Sequence, residues 1–169
     1  MNFNTYIRKL NEVMEKSKLE NGYSHIVYQI FDITLDDNKY SIVDTSSLKR
    51  TQDSITAPKD VVAVPDFVIT EKGYCYDDNQ QDSDKVLGCI EVKYNDADIE
   101  KPDRLESTEI YRGYSEVYKK IIYTNGWIWT YYIGVKKQWQ VVFEKDKNNT
   151  NNKTYGELLR YLCSIDWEE

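Results

Sequence analysis

Histidine is all but missing from this sequence. His25 is the sole one in 169 residues, so a hydrolase built on a Ser/His or Cys/His pair has a single imidazole to draw on. A surface place on a capped helix suits that residue better. Cysteine is scarce as well: Cys75, Cys89 and Cys163 are odd in number and show no CxxC spacing, which excludes a disulfide framework and a thiolate zinc site. Reduced thiols in a cytoplasmic setting are the expectation. No apolar run approaches the roughly 20 residues that a membrane span needs. The opening stretch MNFNTYIRKLNE is charged within its first turns and lacks the apolar core of a secretory signal, so no membrane partner is expected. The glycines form no phosphate-cradling pattern.

Aromatic residues are what the chain has in quantity. With 15 Tyr and 4 Trp set against 30% charged residues, it holds enough large apolar surface to fold. Its length suits one domain spanning 1–169. The net charge of -7 argues against a general nucleic-acid coat protein. The charges are unevenly spread. Acids crowd Asp77 to Glu109, whereas Arg112, Lys119, Lys120, Lys136, Lys137, Lys145, Lys147 and Lys153 collect later, so a basic face on an acidic molecule competes with plain solvated surface.

Apolar residues at Tyr6, Ile7, Leu10, Val13 and Met14 follow helical spacing and predict a helix from Asn4 to about Lys18. Asn21-Gly22 reads as its break, and Ser24 as the cap of a second helix carrying Ile26, Val27, Ile30 and Phe31. From Thr34 to Lys59 the chain is polar, with one strand-like piece at Tyr40 to Val43. Two strands follow, Val61 to Thr70, suited to a sheet margin or to a bulge at Pro65, and Val86 to Tyr94; they read as neighbours. Ser107 to Lys120 predicts a crossover helix. Ile121 to Thr124 and Trp127 to Ile133 flank Asn125-Gly126, the pair favoured at a two-residue type I′ hairpin turn. A strand over Gln138 to Glu144 and a helix over Thr154 to Asp166 close an α/β sandwich around a mixed sheet.

The chemistry concentrates in VLGCIEVKY, Val86 to Tyr94. An apolar strand carries Glu91 and Lys93 two positions apart, on one face, where burial is costly unless the charges are compensated. Pro65-Asp66 on the preceding strand brings a second carboxylate. Two carboxylates held within about 4–5 Å repel unless a hard cation lies between them, which points to Mg²⁺, with Mn²⁺ as substitute. Lys93 is then placed to orient a water or to neutralise charge on a scissile phosphate. The bland reading of Glu91-Val92-Lys93 is a surface cross-strand pair, and the similar Asp37-Asn38-Lys39 lies in a polar turn.

These residues resemble the PD-(D/E)xK nuclease superfamily, whose fold is the restriction-endonuclease-like α/β/α sandwich. The similarity is greatest to the N-terminal nuclease module of type I restriction-enzyme motor subunits and its stand-alone relatives. It rests on PDFVI (Pro65 to Ile69), CIEVKY (Cys89 to Tyr94), YRGYSEVYKK and IIYTNGWIWTYY, and spans about Glu20 to Ile133. The resemblance implies a DNA-cutting enzyme with Asp66, Glu91 and Lys93 as catalytic residues and the Val92 carbonyl as an added metal ligand. It also implies an acid from the first helical region: Glu20, with Glu12 and Glu15 competing. The chain departs from the pattern in the crossover helix, where relatives carry a Gln a turn before a Tyr. Here Tyr114 is present, but Ile110 or Tyr111 fills the other place.

Two functional classes stand against each other. One is a Mg²⁺-dependent nuclease acting on DNA. The other keeps the fold and drops the chemistry, as a small acidic inhibitor or accessory subunit of a nucleic-acid enzyme or defence complex, with a protein partner or homodimer conceivable under either. Trp127, Trp129, Tyr131 and Tyr132 offer base stacking as one reading and ordinary core as the other.

Overall fold

The computed structural model describes residues 1–17, 19–46, 64–74, 85–96, 99, 114–115, 117–145 and 152–168. Helix α1 (Phe3–Glu12) starts where Asn2 Oδ1 accepts the Thr5 N–H at 2.9 Å, and it buries Phe3, Tyr6 and Leu10. It runs on into a π-helical turn (Val13–Ser17). Helix α2 (Glu20–Thr34) follows after Leu19, then strand β1 (Tyr40–Asp44). Strands β2 (Phe67–Glu71), β3 (Val86–Val92), β4 (Lys120–Thr124), β5 (Ile128–Ile133) and β6 (Lys136–Val142) complete one sheet, and α3 (Asn152–Cys163) ends the fold.

The sheet order is β1-β2-β3-β4-β5-β6. Only the β3–β4 pair is parallel among these neighbours, so the chain must cross over between them. Tyr114, Ser115 and Val117 are helical on that connection, whereas Tyr118 and Lys119, expected in the same helix, are not; residues 107–113 and 116 of the expected crossover helix lie outside the described residues. Helices α1, α2 and α3 cover one face, where Phe31 meets Trp129 and Trp167 and Tyr6 meets Tyr155 and Phe143. Strand alternation puts Cys89, Glu91, Tyr123 and Tyr132 on the other face, beneath Tyr114 and Tyr118. This is an α/β architecture with an open mixed sheet flanked by helices, that of the restriction-endonuclease-like fold.

Several local expectations fail for identifiable reasons. Helix α2 begins at Glu20, so Asn21-Gly22 lies inside its first turn and Ser24 is no cap; its hydroxyl donates back to the Glu20 carbonyl at 3.2 Å. Gly22 serves proximity instead, since a Cβ there would sit 2.8 Å from Val13 Cγ1 in the π-helical turn. Strand β2 starts after Pro65-Asp66, and the irregularity in its pairing falls between Ile69 and Thr70. The β4–β5 hairpin is joined by more than two residues, with Asn125 Oδ1 accepting the N–H groups of Trp127 (3.0 Å) and Ile128 (2.9 Å). Lys120 is a buried strand residue, outside any helix. Trp127, Trp129, Tyr131 and Tyr132 are all buried, so they are core and leave no face for bases.

The hairpin tip is tied to α1. The Tyr6 hydroxyl donates to the Gly126 carbonyl and accepts from Trp129 Nε1 at 2.9 Å, all of it buried. Gly126 holds φ at +81°, and an added Cβ would strike Leu10 Cδ2. Gly126→Ala is therefore expected to lower stability by about 1–3 kcal/mol in urea denaturation, from backbone strain and overpacking together. An unchanged midpoint would mean that the tip shifts without penalty.

Candidate active site

The antiparallel register of β2 and β3 sets Phe67 opposite Ile90, which carries the preceding Asp66 to the level of Glu91. Asp66 is anchored from two sides. Its carbonyl accepts the Thr45 N–H at 2.9 Å, the Pro65 carbonyl accepts the Thr45 hydroxyl at 2.6 Å, and Asp66 Oδ2 accepts the Val92 N–H at 2.7 Å. The half-buried carboxylate thus rests against the backbone between Glu91 and Lys93.

Glu91 is 6% exposed near the end of an apolar strand. Both its oxygens are engaged: Oε1 with the Lys93 ammonium, Oε2 with the Tyr114 hydroxyl at 3.0 Å. Lys93 is fixed at its backbone, whose N–H donates to the Thr124 carbonyl of β4 at 2.8 Å. Glu20 stands at the rim, where its Oε1 accepts the Tyr94 N–H at 3.2 Å and its charge is felt by Asp66 and Lys93. Of its two competitors, Glu12 is spent on exposed pairs with Arg8 and Lys16 along α1. Tyr114 is the partner that spacing alone did not assign to Glu91; the sequence marked only its place in the crossover segment.

Burial governs the protonation of the cluster. It pushes the Glu91 carboxyl up to about 7, with Asp66 adding to the rise and Lys93 and Tyr114 opposing it. Asp66 is also raised, by burial first, against the pull of the Val92 N–H and Lys93. Burial draws the Lys93 ammonium down, but Glu91 beside it outweighs that and leaves it above its ordinary value. The oxygen donors Asp66 and Glu91 suit a hard cation, and Mg²⁺ is commonly held by one or two carboxylates completed by substrate phosphate. Among the described residues, no group of three or more His, Cys, Asp and Glu side chains could hold a metal ion by itself. Asp66 and Glu91 thus fit a hard cation that takes its remaining ligands from elsewhere.

The expected basic face does not flank this pocket. Register places Lys120 opposite Gly88, and Lys136 beside Ile133, at the other end of the sheet, roughly 10 Å along the strands from Glu91. Lys119, Lys136 and Lys137 are exposed there, and Lys153 is exposed on α3. Lys145 reaches the loop after Lys93 but pairs with Asp96, which also accepts from Asn125 Nδ2 at 2.6 Å. Arg112 and Lys147 lie outside the described residues.

No family model matches this sequence, and no curated protein does. Among solved structures, the chain is similar to one in a cryo-EM structure of a DrdV–DNA complex, with a TM-score of 0.55 and 12% sequence identity. The match covers 97% of this chain and 14% of that one. A likeness at that identity shows the shared fold, and this chain corresponds to a small part of the longer one.

The raised Glu91 carboxyl makes metal-free stability depend on pH. Between about 4.5 and 7 the folded chain keeps a proton that the unfolded chain releases, so this contribution is full below about 4.5 and lost as pH rises through 7. The loss is on the order of 3 kcal/mol. Urea titrations of wild type should show that decline, and Glu91→Gln should flatten it. In carboxyl-carbon NMR, Tyr114→Phe should move the Glu91 titration to higher pH, because the lost hydrogen bond favours the charged form; a downward move would refute the arrangement.

Proposed function

We propose that this chain is a nuclease-fold protein that engages DNA at the Asp66–Glu91–Lys93 pocket, with hydrolysis weak in the free chain, and that it serves as an accessory subunit or inhibitor of a nucleic-acid enzyme or defence complex. The carrying observation is the self-neutralised state of the pocket. Both oxygens of Glu91 are taken by Lys93 and Tyr114, and no group of three potential ligands is assembled among the described residues. The likeness to a chain solved with DNA supports the nucleic acid as partner.

A second reading, a Mg²⁺-dependent deoxyribonuclease in full, is favoured by the gathering of Asp66, Glu91 and Lys93 around one backbone segment. Asp66, Glu91 and the Val92 carbonyl would hold Mg²⁺ or Mn²⁺, and Glu20 would complete the rim. Bound there, the cation supplies Lewis-acid stabilisation of charge on the phosphate oxygens. Lys93 would leave Glu91 to orient the attacking water or to meet charge on the scissile phosphate. Glu91 must shed its proton first, so cation affinity rises with pH through about 7.

Calorimetric titration with Mn²⁺, with and without a short DNA duplex, separates the readings together with a nicking assay on supercoiled DNA. The first expects metal uptake only with DNA present, lost in Glu91→Ala, and little nicking. Robust nicking that falls at least 100-fold in both Asp66→Ala and Lys93→Ala would establish the enzyme instead. Absence of any DNA binding would remove both.

A further inference from the structure

Beside the acidic pocket lies a second, open cleft of about 500 Å³. One wall is a stripe of α2: Asn21, Ser24, His25 and Tyr28 recur at i, i+3, i+4 and i+7, on the side turned away from the buried stripe of Tyr23, Ile26, Val27, Ile30 and Phe31. The other wall is the start of the sheet, with Asp44, Ser46 and Phe67. The two sites adjoin through the chain itself. Phe67 directly follows Asp66 and pairs with Asp44, and Asn21 directly follows Glu20.

We propose that this cleft is the nucleobase subsite of the DNA-binding site, and that it takes an unpaired base bearing an amino group, next to the phosphodiester at Asp66. The proposal rests on the DNA-binding reading above. Charge favours the base over the phosphate at Asp44, the acid of the described lining. Size agrees, since ligand pockets run from about 300 to 1,000 Å³. Stacking is provided by Tyr28, which is 39% exposed and set at 5.9 Å from the Phe67 ring, so one face is braced while the ring still reaches the cleft. Asp44 is fixed by the Ser46 N–H (3.0 Å) and hydroxyl (2.6 Å), both on Oδ1, and its carboxylate remains an acceptor for further N–H groups. Adenine, cytosine and guanine bring an amino group to it. Thymine offers one N–H between two carbonyl oxygens, which a carboxylate repels. Asn21, Ser24 and His25 can meet the remaining polar edge.

His25 is the only histidine in the chain, so its imidazole Hε1 resonance is assigned without ambiguity and serves as the probe of the cleft it lines. Short single-stranded oligonucleotides of dA, dC or dT would be titrated into the protein in Ca²⁺, following that resonance and the backbone amides of Val92 and Lys93 together. The expected result is saturable movement of both, tighter for dA and dC than for dT. Tyr28→Ala should weaken binding about tenfold, with Tyr28→Phe near wild type, and Asp44→Asn should remove the preference over dT. Movement at Val92 and Lys93 with a silent His25, or with Tyr28→Ala binding as wild type, overturns the base subsite and leaves DNA binding standing. No movement anywhere overturns both.

Discussion

A carboxylate buried in an apolar strand has no water to stabilise its charge, and every feature of this pocket answers that one constraint. Glu91 takes an ammonium from its own strand and a phenol hydroxyl from the segment that crosses the sheet. The neighbouring Asp66 takes a backbone N–H from the residue between Glu91 and Lys93. Each of these contacts is local to the β2–β3 pairing or to the crossover, which explains why the sheet must be mixed: the parallel β3–β4 step sends the chain over the face where Tyr114 is needed.

The β3 strand, the α2 core stripe and the order of β-elements were legible because burial imposes period 2 or 3.6 on apolar residues, and those periods survive in one sequence. The Asp66–Glu91–Lys93 proximity was legible only as a consequence of β2 and β3 being neighbours. Less legible were single residues with more than one physical use. Gly22 looked like punctuation but provides close approach to Val13. The aromatic run of β5 offered both stacking and core, and burial on both faces of the strand makes it core. The lysines grouped along the chain left a basic face and plain solvated surface both open, and strand register sends Lys136 and Lys137 to the end of the sheet away from Glu91, and Lys145 to Asp96.

That last arrangement bears on function. In the pocket's vicinity Glu20, Asp44, Asp66 and Glu91 are balanced by Lys93 among the described residues. A phosphate backbone approaching such a surface is repelled unless a cation comes with it, so if the pocket binds DNA as proposed, DNA and metal should help each other bind, by the same factor in either direction. On the proposed DNA-binding reading, a two-carboxylate site suits this electrostatic setting, because substrate phosphate would supply further ligands to the cation.

The same balance bears on which part of a nucleotide goes where. The Asp44 carboxylate disfavours phosphate in the cleft, while the two carboxylates of the pocket would meet phosphate through a shared cation on the proposed reading. One strand pairing, Asp44 opposite Phe67, holds the two environments side by side. In the proposed subsite a nucleotide laid across that boundary would have its anionic part at Asp66 and its amino-bearing ring at Asp44, and the reverse orientation would set phosphate against the Asp44 carboxylate. On the proposed reading, the polarity of binding would follow from the placement of acids around β1 and β2.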